Sequence, residues 1–94
     1  MAEYRFDGRE LRDKRGQRIA YLDGNYIRDS HSNRVGQIDG KYLRDAHSNR
    51  LIEFDGRDVR DSKGSKIASI EDVKKNIDGI GGMTLVSMWV LFIR

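Results

Sequence analysis

A sixteen-residue unit is written four times between Asp7 and Ile70, without insertion or deletion. Asp-Gly recurs at Asp7-Gly8, Asp23-Gly24, Asp39-Gly40 and Asp55-Gly56. An apolar-Arg-Asp triplet follows each of them: Leu11-Arg12-Asp13, Ile27-Arg28-Asp29, Leu43-Arg44-Asp45 and Val59-Arg60-Asp61. Each copy then closes on a basic and an apolar residue: Arg18-Ile19, Arg34-Val35, Arg50-Leu51 or Lys66-Ile67. Sixteen residues are too few for a helix pair and too many for one strand, so the unit reads as two strands and two turns.

Asp-Gly is a strong hairpin signal, because a two-residue type I′ turn needs positive φ at both central positions. A turn centred there sets Ala20 opposite Ile27, Gly36 opposite Leu43 and Ile52 opposite Val59. The second turn is expected as a four-residue loop, Lys14-Arg15-Gly16-Gln17 and its equivalents, with Asp13 facing Arg18 and opposite charges meeting in every copy. That register also pairs Leu11 with Ala20 and Ile27 with Gly36, and needs no bulge. Nine strands follow, near residues 3–6, 9–13, 18–22, 25–29, 34–38, 41–45, 50–54, 57–61 and 66–70.

One face of these strands carries Leu11, Ile27, Leu43 and Val59, the mostly small set Ala20, Gly36, Ile52 and Ala68, and Phe6, Leu22, Ile38, Phe54 and Ile70. The small set predicts that neighbouring copies approach closely. On the reverse face Ile19, Val35, Leu51 and Ile67 are expected beside the stems of Arg12, Arg28, Arg44 and Arg60. A flat meander of nine strands would leave two edges and a wet apolar face, so the hairpins are expected to close around an axis.

The pattern resembles the bacterial beta-flower repeat families, in which short Asp-Gly and Arg-Asp hairpins surround a central axis. The four copies look like the fourfold version. The resemblance implies an all-β fold and brings no activity or catalytic residue. Arg15 and Lys63 depart from it, standing where the middle copies have His31 and His47, and so does Ile52, where the other copies have Ala or Gly.

After Ile70 the period changes. Ser69-Ile70-Glu71-Asp72 resembles a capping box, and Val73, Ile77 and Ile80 share a stripe, predicting a helix over 71–78 ended by Asp78-Gly79. From Ile80 to Ile93 no residue is charged. Fourteen residues with two glycines fall short of the roughly twenty that cross a bilayer. The tail, as helix or strand, is expected to pack against the repeat domain as its missing core layer. Met83, Leu85, Met88, Trp89 and Phe92 are its candidates for a self-association interface, and residues 80–93 for membrane attachment. One domain results, with residues 1–70 as hairpins and 71–94 packed on them.

The chain has 94 residues, a net charge of +3 and no cysteine, so disulfides and thiolate metal sites are excluded. Met1 to Phe6 lacks the apolar core of a secretory signal, and a cytoplasmic location is the expectation. Arg12, Arg28, Arg44 and Arg60, with Tyr21, Tyr26 and Tyr42, form the candidate binding face for a glycan, a nucleic acid or an acidic partner. Acids recur in step with the arginines, so ordinary cross-strand ion pairs are the first reading and nucleic acid is not expected. The tyrosines are expected to pack beneath the tail, Tyr21 pairing with Tyr26. His31 and His47 lack a third ligand for zinc, and no loop has the spacing of a calcium cage. No nucleophile and base break the repeat, so no enzyme, cofactor or metal is expected. The sequence reading is a non-enzymatic structural or protein-interaction module, self-associating or holding a protein partner.

Overall fold

A computed structural model describes residues 2–79 and 82–94. Ten strands form one sheet in the order β10-β1-β2-β3-β4-β5-β6-β7-β8-β9. They are β1 Tyr4–Phe6, β2 Glu10–Asp13, β3 Arg18–Asp23, β4 Tyr26–Asp29, β5 Arg34–Asp39, β6 Tyr42–Asp45, β7 Arg50–Phe54, β8 Asp58–Asp61, β9 Lys66–Ser69 and β10 Ile77–Gly79. Strands β1 to β9 are antiparallel neighbours, while β10 pairs parallel with β1. The nine expected strands are present and the tenth was not foreseen.

The Asp-Gly turns are displaced by one residue from the expected position. Leu22 lies opposite Ile27 and Asp23 opposite Tyr26, so Gly24-Asn25 is the two-residue loop; Ala20 faces Asp29 rather than Ile27. Gly24 and Gly40 have φ of 62° and 61° while Asn25 and Lys41 stay out of the positive region, the pattern of a type II′ turn with glycine first. The register therefore moves by two residues. Side chains alternate with a period of two, so every inward residue remains inward.

The other loop has three residues, not four. Asp13 N–H donates to Gln17 O, and the third loop position is left-handed in each copy, with φ of 82° at Gly16, 68° at Ser32, 69° at Ser48 and 87° at Gly64. Asp13 Oδ1 accepts the N–H groups of Arg15 and Gln17, and Asp29, Asp45 and Asp61 repeat this bond pattern. These aspartates hold loops, which is why they do not face the next strand's base.

Beyond each loop the ladder does carry a bulge: Leu11 faces Ala20, but Arg12 faces Arg18, leaving Ile19 extra. The same irregularity recurs in β4–β5, β6–β7 and β8–β9. Ile19, Val35, Leu51 and Ile67 pack against the buried cluster instead of lying on the reverse face. Adjacent residues such as Ile19 and Ala20 can both join one core only because the extra residue interrupts strict alternation.

Ser69 caps helix α1, Ile70–Lys74, reciprocally with Asp72. The helix is shorter than expected, because Ile77–Gly79 leaves it to become β10; Ile80 of the expected stripe lies outside the described residues. A flat sheet of ten strands would be about 43 Å wide at ~4.8 Å per strand. Only the seven residues 70–76 connect β9 to β10 at opposite edges, and the molecule measures 35 × 28 × 18 Å. The sheet must curl until α1 spans the gap between its edges.

The curl encloses the tail. Helix α2, Met83–Met88, continues through a wider i→i+5 turn over Trp89–Ile93, where Arg94 N–H donates to Trp89 O. Leu85, Val86 and Met88 are fully buried in one cluster with Phe6, Leu11, Ile27, Leu43 and Val59. Strand propensity loses here for a specific reason. Inside the curl the sheet's N–H and C=O groups are already paired, so an added strand would find no partners, whereas a helix satisfies its own. The small residue Gly36 makes room both for this helix and for the next copy: a Cβ there would lie 2.9 Å from Leu91 Cδ1 and 3.3 Å from Leu43 Cδ1 and Arg44 O.

Candidate binding face

The face turned away from α2 carries the candidate arginines and tyrosines, in a different arrangement from the one expected. Because the loop is one residue shorter, Arg12 lies opposite Arg18, Arg28 opposite Arg34, Arg44 opposite Arg50 and Arg60 opposite Lys66. Like charges, not opposite ones, meet across the ladder in every copy, and such pairs are destabilising when directly opposed.

The copies relieve this in two ways, decided by one position of the repeat: Glu10, Tyr26, Tyr42 and Asp58. In the first copy Glu10 bonds both Arg12 and Arg18, and in the fourth Asp58 lies 3.8 Å from Arg60 and 3.4 Å from Lys66. In the middle copies tyrosine replaces the carboxylate. Arg34 sits 3.9 Å above the Tyr26 ring centre and Arg50 4.7 Å above that of Tyr42, held by the ring's negative face. Arg28 and Arg44 turn instead to Asp23 and Asp39, at 2.9 and 3.1 Å. Arg34 and Arg50 have no carboxylate partner among the described residues.

Tyr21 faces Arg28, not Tyr26, on their shared ladder; its hydroxyl bonds Ser32 Oγ at 2.9 Å and Arg18 lies 4.7 Å from its ring centre. Burial beneath the tail is overturned for Tyr21, Tyr26 and Tyr42, because the tail occupies the opposite side of the sheet. Arg18, Arg34, Arg50 and Lys66 escaped sequence reasoning, since a four-residue loop had placed them against aspartates. Their spacing of sixteen was visible; the partner was not.

The carboxylates of the face serve the backbone as much as the arginines. Asp29 is held below its ordinary value of 3.8 chiefly by the Asn33 N–H, and Asp45 likewise by Asn49. Asp7 and Asp55 are lowered mainly by the N–H groups of Glu10 and Asp58. His31 and His47 are exposed on their loops, and no three His, Asp or Glu side chains cluster as a metal site among the described residues. On the far side, Leu85, Met88 and Trp89 are buried in the core, while Met83 and Phe92 remain half-exposed.

Fold and face together define an all-β hairpin protein whose single curled sheet encloses its own C-terminal helix and presents a mixed-charge outer surface. No protein-family model, curated protein or solved structure matches the chain.

Proposed function

We propose that this chain is a non-enzymatic interaction module, a beta-flower-like scaffold that holds an acidic segment of a partner protein on its outer face. What supports this reading is the pair of unneutralised guanidinium groups, Arg34 and Arg50, propped on Tyr26 and Tyr42 in adjacent copies. Each planar fork suits a carboxylate bidentately. Asp23, Asp39 and Glu53 alternate with these bases, so a uniformly anionic polymer would meet repulsion where a patterned protein surface need not. One face of each of these two rings is already covered, which leaves less of them for stacking on sugars or bases.

Amide-shift mapping of the full chain with a synthetic peptide whose glutamates are separated by neutral and basic residues is the test. Saturable shifts around residues 26–28, 34, 42–44 and 50, weakened at least tenfold in Arg34→Gln/Arg50→Gln, are expected. Unchanged binding by that variant, or tighter binding of heparin through the same residues, would replace the acidic-protein reading.

A second reading, self-association, draws on Val90, Leu91, Phe92 and Ile93, which are packed on the core yet half-exposed. Light scattering decides it: a dimer converted to monomer by Phe92→Ser supports it, and a monomer at every concentration removes it. No described helix is long and apolar enough to cross a membrane. Attachment through the tail would require the intact protein to sediment with lipid vesicles.

A further inference from the structure

The first copy differs from the others at the edge where β1 meets β10. Position five of the chain is Arg5, where the following copies have Tyr21, Gln37 and Glu53. Register then aligns Asp78, Arg5, Arg12 and Arg18 across four adjacent strands. Three arginines stand side by side at about 4.8 Å per strand, and Glu10 is the one carboxylate that pairs with any of them among the described residues. The adjoining loop is also exceptional: Lys14-Arg15-Gly16 stands where the middle copies have Ser30-His31-Ser32 and Ala46-His47-Ser48.

These departures converge on one cleft. It has a volume of about 400 Å³ and is lined by Arg5, Arg12, Lys14 and Arg15, with Glu3, Asp13 and Asp78 as its acids. Asp13 is already engaged by the N–H groups of Arg15 and Gln17, and Arg12 is fixed across the loop by its 2.9 Å bond to Gly16 O. Arg5, Lys14 and Arg15 have no carboxylate partner among the described residues. The volume is that of a small-molecule site, within the usual ~300–1,000 Å³.

We infer that this cleft binds a free small molecule carrying two or more phosphate groups, Arg5 and Arg15 supplying the guanidinium forks and Lys14 a point charge. Guanidinium and ammonium groups on two sides of a cleft match tetrahedral oxyanions better than a single carboxylate. This site and its ligand are separate from the outer-face contact with a protein, and use different residues.

Amide-shift titration of the full chain with inorganic pyrophosphate tests the inference, with sulfate at matched ionic strength as the control for screening. Saturable shifts confined to residues 3–5 and 12–17 are expected, with affinity at least tenfold above that for sulfate. Arg5→Gln/Arg15→Gln, both exposed positions, should weaken binding at least tenfold with the melting temperature retained, while Arg34→Gln leaves it unchanged. Equal response to sulfate, shifts spread along all four copies, or equal loss on Arg34→Gln would overturn the site. Capture by phosphoinositide-containing vesicles without pyrophosphate binding would overturn the free ligand.

Discussion

Leu91 lies so close over Gly36 that a Cβ on the glycine would come within 2.9 Å of Leu91 Cδ1 and 3.3 Å of Arg44 O. Gly36 has no need of glycine for its backbone, so space alone decides the outcome. Gly36→Ala asks a leucine terminus to move and Arg44 O to yield slightly, against the removal of glycine's excess chain entropy; a net change below about 1 kcal/mol is expected. Gly36→Val should cost about 1–3 kcal/mol by overpacking. Urea unfolding should show Leu91→Ala recovering part of that loss, and strictly additive effects would mean that the two side chains do not share the space. Gly79 is harsher, its Cβ being blocked by the backbone of Phe6, and Gly79→Ala should break the β1–β10 pairing.

Ser32 and Ser48 hold left-handed backbone where the outer copies use glycine. An L residue there costs roughly 1–2 kcal/mol, against about 0.5–1 for the extra entropy glycine loses. Ser48→Gly should therefore stabilise by about 0.5–1 kcal/mol in thermal unfolding. Ser32→Gly should be nearly neutral, because it also removes the acceptor of the Tyr21 hydroxyl. Equal gains from both would show that this bond contributes nothing.

Trp89 is buried and its Nε1–H donates to Asn76 Oδ1 at 3.0 Å. Asn76→Ala removes the acceptor of a part-buried bond whose other partner is exposed, and should cost about 0.5–1.5 kcal/mol. In a Trp89→Phe background the same change should cost only a few tenths, since no donor remains; a double-mutant cycle reads the difference. The chain's one tryptophan makes its own fluorescence the probe.

Five aspartates, Asp7, Asp29, Asp45, Asp55 and Asp72, ionise more readily in the folded chain than their ordinary 3.8, chiefly through backbone N–H groups. A depressed carboxylate stabilises the fold above its unfolded value, and that contribution fades as pH falls through the folded one. Stability should thus be level near neutrality and decline below about pH 4. Asp29→Asn/Asp45→Asn should flatten that acid limb, because an amide oxygen still accepts the loop bonds without titrating. An unchanged acid limb in the double variant would assign the decline to other groups.

The Asp-Gly spacing and the alternation of apolar residues were enough to place nine strands and to name the inward set. Both survive a two-residue error in register, since sliding by an even number turns no side chain over. The charged face did not survive the other error. One residue fewer in each loop exchanged Asp13 for Arg12 as the partner of Arg18; Gly16 and Gly64, at the left-handed third position, were the local sign of three residues plus a bulge.

Sequence alone determined the repeat, the inward set of Leu11, Ala20 and their equivalents, and the Ser69-Asp72 cap, because these rest on contacts between residues near in the chain or on a strict period. Tertiary structure decided that residues 77–79 become a strand, that residues 83–93 become helical and that the cations oppose one another. The first two depend on hydrogen-bond partners and space supplied from far along the chain, an open edge at β1 and an interior without free backbone groups, while the third follows from the three-residue loop and the ladder formed beyond it.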